Sequence, residues 1–531
     1  MEYVEEELEE NRIDQEIKNL NENEYSDNND EEYLNINSRK SESIKSKSLY
    51  PYTIFEKNEK ILLIIILSSI GFWSTCSSPI YFPALPTLTK YFNTTESIMN
   101  ISVVCYLLFQ GIVPTISSNL ADTFGRRPVI LASLLIYIAS CIALSQTNVY
   151  WLLAVLRCIQ AAGIAPVIAI SSGVSGDVCT PANRGSMVGA TGGLQLMGNG
   201  LGGLFGAALI SGFHTWRSIF VFLAIGGGVT FIGAFFFLAE TSRQIVGNGT
   251  VMPKNIMNRA VLIYMPFFKK KMSNDIATIE PKKKFDILGP FKIFIKKEVF
   301  LVLVPSGLHF AAWSAVLTSL STELESSKYN YGVMHVGLIY LPQGIATLVA
   351  SMGVGKLMNI YYAYRKRLFD EKMKNVPKDQ RPAFNIVATR LTLTIVPAAL
   401  MIIGLIIFGW CIQYERHIIS IIISTILISF SSSVFIAICT TMLVDLYPNQ
   451  GSASTSCLNL MRCWLAALFV GVLDKMIKSL NLGGTYTLMA GLCLLFDLCL
   501  IYVLYCTNKE LRDFSSNQST RVSSTTSSVI E

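Results

Sequence analysis

Twelve stretches of about twenty apolar residues dominate the chain, near 61–82, 98–118, 128–146, 151–173, 186–209, 216–239, 299–320, 333–358, 391–413, 417–444, 452–473 and 485–506. Each is close to the length a helix needs to cross a hydrocarbon core about 30 Å thick. Inside lipid a backbone must satisfy its own N–H and C=O groups, so runs of this length span as helices. The expected fold class is therefore an all-α integral membrane protein with twelve transmembrane helices. Composition agrees: 15% of the 531 residues are charged and 51% hydrophobic, against roughly 25% charged in a soluble domain.

The basic residues sort by loop. Those after runs two, four, six and eight hold Arg126 and Arg127, then Arg184, then Lys269–Lys271 and Lys282–Lys284, then Arg365, Lys366, Arg367 and Arg381. The alternate loops hold far fewer, which predicts that both termini are cytoplasmic. The net charge of +6 thus reads as a topology signal, and no nucleic-acid partner is expected. Asn93-Thr94-Thr95 then falls outside, open to glycosylation at Asn93, whereas Asn248-Gly249-Thr250 falls inside and stays bare. Residues 1–58 are polar and acidic at their start, and read as a disordered tail without a cleavable signal. The remaining divisions are a six-helix bundle over 59–240, a basic linker over 241–298, a second bundle over 299–506 and a tail over 507–531. The linker's lysines either touch anionic lipid or are simply solvated.

Several functional classes drop out. No GxxxxGK[ST] stretch is present, so ATP hydrolysis lacks its machinery and energy would come from an ion gradient. The twelve cysteines, among them Cys76, Cys105, Cys158, Cys439 and Cys493, show no CxxC spacing and read as small core residues. No metal, cofactor or enzymatic centre is expected.

What remains is charge in unusual places. SNLADTFGRR, Ser118 to Arg127, packs an acid, a glycine and two arginines between two spans, a candidate gating element. The second half has GKLMN, Gly355 to Asn359, followed by Arg365 to Arg367, at the corresponding loop, consistent with two repeated halves. A charge inside a span costs at least about 2.5–3.5 kcal/mol on insertion scales, so such residues are functional candidates. Arg157 lies in the fourth run, with Gln160 one turn on. A guanidinium does not carry the proton, but it can shift a carboxylate's pKa or bind an anion; the alternative is an anchor bonded to carbonyls. Arg462 and Asn459 share the eleventh run, and Asp497 sits deep in the twelfth. Asp497 is either a titratable proton carrier or the static partner of Arg462. In the fifth run Gly198, Gly202 and Gly206 recur every fourth residue, a face that lets a neighbouring backbone come close, as a sliding seam between halves or a static one. Pro79, Pro83 and Pro86 are expected to break the outer end of the first span, where Trp73, Tyr81 and Phe82 could form an aromatic wall for an apolar or cationic substrate, or simply pack.

LADTFGRRPV, RCIQAAG, WRSIF and LAET in the first half resemble the fungal twelve-span drug:proton antiporters of the major facilitator superfamily, the branch of quinidine-resistance, polyamine and dityrosine exporters. GLIYLPQGIA, FGW at Phe408–Trp410, LVDLYP and SASTSCLNLMRCWLAA in the second half match in the same order. The resemblance implies two six-helix bundles around a central cavity, alternating access, and exchange of an outgoing small organic compound for an incoming proton, in the plasma membrane or an internal one. It places Asp122, Gly125, Arg126 and Arg127 in a cytoplasmic gate motif. From its position at the cytoplasmic ends of the second and third helices, Asp122 is expected to meet a helix N-terminus or a cation of the facing segment, with both arginines at the surface. The resemblance places Arg157 in the coupling motif of the fourth helix. An uncoupled facilitator or transporter-like receptor is the other reading, since Asn199, Gly203, Ala239 and Asn359 depart from the family's pattern.

Overall fold

The computed structural model describes residues 52–179, 181–264, 272, 279, 294, 297–325, 329–374, 384, 386–446 and 451–527. The spans are α1 (Lys57–Tyr91), α2 (Glu96–Phe124), α3 (Arg126–Gln146), α4 (Tyr150–Val178), α5 (Pro181–Phe213), α6 (Arg217–Phe237), α7 (Val299–Glu325), α8 (Val333–Lys372), α9 (Ala388–Gln413) and α10 (Ile418–Leu446). The final helix, Gly451–Ser527, is broken at Asn481, whose φ of 57° is left-handed. It therefore reads as two crossings, α11 over 453–480 and α12 over 482–502.

Local chemistry explains the irregular spans. Proline offers no N–H to the helix ladder, and α1 tightens to a 3-10 turn over Pro79–Ala84, while α4 is interrupted ahead of Pro166. Thr95 opens α2 by accepting the Ile98 N–H on its side-chain oxygen, 3.4 Å away. Leu67, Tyr137, Ile164 and Phe220 are fully buried in the first half, as are Val316, Phe408 and Tyr486 in the second.

The halves meet along two lines. On one, α2 packs on α11: Asn459 donates from Nδ2 to the Gln110 carbonyl at 2.6 Å, and the Ser456 hydroxyl to the Pro114 carbonyl at 3.2 Å. On the other, α5 packs on α8 so closely that a Cβ on Gly200 would lie 2.1 Å from the Gly344 Cα. At the end away from the basic loops, Ser321 donates to the Phe82 carbonyl at 2.7 Å and Ser97 to Asp474, so α1 and α2 are tied there to α7 and α11.

This geometry relocates the expected glycine seam. Gly198, Gly202 and Gly206 do share a face, but that face lies on α1 of the same half, where added Cβ atoms would meet Phe72 O at 2.3 Å, Cys76 O at 3.0 Å and Ile80 O at 2.2 Å. The contact between halves uses Gly200 and Gly203 instead, the latter beneath the Tyr340 ring. Gly200→Leu is expected to leave the first half folded but to stop α5 closing on α8, an overpacking cost of about 1–3 kcal/mol. Normal surface abundance with transport lost is the expected pattern; unchanged transport would show that this line of contact does not form during the cycle.

Candidate functional site

Arg157 is the centre of the first half. Its side chain is wholly buried, 0% exposed, and no carboxylate among the described residues pairs with it. The guanidinium lies between two tyrosine faces, 4.3 Å from the Tyr81 ring centre on α1 and 4.2 Å from that of Tyr106 on α2. Nη1 donates to Gln160 Oε1 at 2.7 Å and to the Ser77 carbonyl at 3.1 Å, while Nε and Nη2 have no hydrogen-bond partner.

Neighbouring hydroxyls and an amide fix the cage. The Tyr81 and Ser102 hydroxyls bond at 2.9 Å, as do those of Ser77 and Tyr137 at 2.7 Å, and Gln160 Nε2 lies 3.2 Å from Cys141 Sγ. Four helices thus hold one permanent positive charge by ring faces and dipoles, the arrangement in which cation–π contacts are strongest, about 2 kcal/mol or more when desolvated. Tyr81 is committed to this cage and Trp73 packs edge-on against Phe72 and Phe222, so those two do not form an open aromatic wall with Phe82.

At the end bearing the basic loops, α2 stops at Gly125, whose φ of +109° suits glycine, and α3 starts at the next residue. The Glu240 carboxylate is clamped over that new N-terminus. It accepts the backbone N–H of Arg126 at 2.9 Å, of Arg127 at 3.1 Å, of Thr241 at 3.0 Å and of Ser242 at 2.9 Å. Burial pushes this carboxyl above its ordinary pKa, and the four donors pull it back. A Cβ on Gly125 would fall 2.5 Å from Glu240 Oε2, so glycine is required here twice over.

The arginine side chains turn inward, contrary to the surface position expected of them; Arg126 and Arg127 are 7% and 3% exposed. Arg126 crosses α4 over Gly173 and pairs with Asp122 at 2.9 Å and Asp177 at 3.0 Å. Arg127 donates to the carbonyls of Phe235, at 2.6 Å, and Met257. Asp122 therefore meets a cation of its own loop, and the helix N-terminus belongs to Glu240. Arg243 stacks on Tyr52 at 3.7 Å and donates to the Asp177 carbonyl at 3.0 Å. Phe55, Val246, Asn258 and Ile263 are buried, so the ends of the expected tail and the start of the expected linker are packed onto the bundle.

In the second half, Arg462 donates to Asn459 Oδ1 at 3.3 Å and lies 4.6 Å from the Phe310 ring centre. The suggested pairing of Arg462 with Asp497 does not form. Asp497 instead faces His309 of α7, with Nε2 at 3.0 Å from Oδ2 and 3.3 Å from Oδ1, both residues buried. Asp177, Glu240 and His309 were not singled out from sequence as parts of these sites. A histidine inside the seventh apolar run, and the acid within the LAET stretch, were the available signals.

A bundle of spans in two halves, with a buried arginine in one and a charged cluster at the end bearing the basic loops, defines a membrane transporter of the major facilitator type. The Major Facilitator Superfamily profile matches residues 61–369, and the chain belongs to that superfamily. It is 69% identical over 92% of its length, and 96% of the relative's, to "MFS antiporter QDR1" of Candida albicans. It is 38% identical to "Quinidine resistance protein 1" of Saccharomyces cerevisiae, over 86% of this chain and 84% of that one. Among solved structures, the partially occluded inward-open xylose transporter XylE from E. coli aligns with a TM-score of 0.58 at 14% identity, covering 83% of this chain and 97% of that one. The protein is a multi-pass membrane transporter, not an enzyme.

Proposed function

We propose that this chain is a proton-coupled antiporter that exports amphiphilic small organic compounds across the plasma membrane by alternating access, with both termini in the cytoplasm and lipid around its apolar faces. The observation that carries the reading is the Arg157 cage: a fixed charge with two uncommitted donor nitrogens, held where four helices meet. Any change in its surroundings alters the electrostatic cost of that charge, which links conformation to charge movement. The relatives' names, antiporter and quinidine resistance, point the same way. Asp122, Gly125, Arg126 and Arg127 form the cytoplasmic gate cluster, and Arg462 with Asn459 bridges α11 to α2 beside the substrate path.

Quinidine efflux from cells tests the reading. Cells expressing the chain are expected to retain less quinidine than cells without it, and a protonophore is expected to erase the difference. Efflux insensitive to the protonophore would favour the uncoupled facilitator.

Orientation has its own test. Asn93 is exposed between α1 and α2, whereas the Asn248 side chain bonds Thr250 at the opposite end. Endoglycosidase is expected to shift the protein's mobility, and Asn93→Gln to abolish the shift while Asn248→Gln leaves it. The reverse pattern would invert the orientation.

A further inference from the structure

Proton exchange needs a group that titrates, and few buried groups in the spans can. Among the described residues, Glu59, Arg126, Arg127 and Arg390 are buried within a turn or so of a helix end, and Arg157, His309 and Asp497 are buried farther inside. Guanidinium groups keep their protons. Histidine is the side chain whose ordinary charge change falls between about pH 5 and 8, and His309 is bonded to Asp497, the carboxylate buried farther inside.

The pair is built as a closed unit. His309 of α7 and Asp497 of α12 are 3.0 Å apart, and the Phe435 ring of α10 covers the imidazole at 4.2 Å between centres. Two thiols lie within electrostatic reach of Asp497, Cys493 on α12 and Cys439 on α10, while Arg462 of α11 lies over the neighbouring Phe310 ring. His309 Nδ1 has no hydrogen-bond partner.

That free nitrogen limits the protonation states. With one proton, a neutral imidazole donates from Nε2 to an ionised Asp497, and the pair carries a net negative charge. With two, the carboxyl donates to Nε2 and Nδ1 holds the other proton, so the pair is neutral. The two forms differ by one proton and one unit of charge, and a lone charge is in general costlier in a low dielectric than beside water.

We propose that His309 and Asp497 together are the proton-exchanging site of this transporter, taking up one proton from the external side and releasing it to the cytoplasm in each cycle. The proposal rests on the antiport reading and adds the residues that do the work. The proton enters as the substrate leaves outward, and its departure on the other side resets the pair to its charged form. No other bond changes.

The test uses full-length protein in proteoliposomes, with quinidine as the probe and three variants: His309→Gln, Asp497→Asn and the double variant, which restores a neutral hydrogen-bonded pair. Counterflow of labelled quinidine at equal pH on both sides requires no net proton movement. All three variants are expected to keep counterflow and to lose the acceleration by an imposed pH gradient. A gradient response retained in the double variant would overturn the proposal while leaving antiport in place. A double variant that has lost counterflow or monodisperse elution would make the pair structural and also overturn it. A wild type indifferent to the gradient would instead overturn the antiport reading.

Discussion

Glu240→Ala is expected to remove most of the folded protein. The substitution deprives four buried backbone N–H groups of their acceptor at once, those of Arg126, Arg127, Thr241 and Ser242. Each buried donor left unsatisfied costs about 1–3 kcal/mol, so the sum is comparable with the whole stability of an ordinary domain, about 5–15 kcal/mol. The local charge balance is also upset, because Arg126 and Arg127 lose their nearest shared anion and α3 loses the negative charge at its N-terminus. Glu240→Gln keeps one acceptor oxygen and should fall between. Fluorescence-detected size exclusion with a heating series reads this directly: the alanine variant is expected to give little monodisperse peak, and glutamine an intermediate midpoint. An alanine variant that melts with the wild type would show that the clamp contributes little.

Arg157→Ala is expected to do the opposite, sparing abundance and abolishing transport. No described carboxylate depends on this arginine, so its removal strands no buried countercharge. What disappears is the fixed charge with its contacts to Tyr81, Tyr106, Ser77 and Gln160, and a barrier change of only about 1.4 kcal/mol is already tenfold in a rate. Arg157→Lys is the sharper comparison. An ammonium keeps the charge but lacks the planar face that lies between Tyr81 and Tyr106 and the fork that reaches Ser77 and Gln160 together. Lysine is therefore expected to recover less than about a tenth of the quinidine efflux. Near-normal efflux with lysine would mean that charge alone suffices; near-normal efflux with alanine would remove Arg157 from the mechanism.

Much of the architecture was legible because bilayer thickness imposes a length that an apolar run either meets or misses. The proline-bearing end of α1 and the charged turn between α2 and α3 were legible for a similarly local reason, since proline and glycine act on their own backbone. The site was only partly legible. Arg157 stands out in any reading of the fourth run, but its cage comes from three other helices. The loop arginines were placed at the surface because the positive-inside rule counts charge by loop; their burial depends on Asp177 and Glu240, 51 and 114 residues away from Arg126. The four-residue spacing correctly put Gly198, Gly202 and Gly206 on one face, yet spacing does not say which neighbour that face meets. The pairing of Asp497 with His309 instead of Arg462 spans 188 residues, and no periodicity within one helix encodes it.

The central claim is that a proton gradient drives substrate through this fold, and reconstituted vesicles bearing an imposed pH gradient test it most directly. Quinidine is expected to move against the direction of proton flow, to concentrate beyond its equilibrium value, and to relax once an ionophore collapses the gradient. Equal quinidine movement with and without the gradient, never exceeding equilibration, would contradict the account.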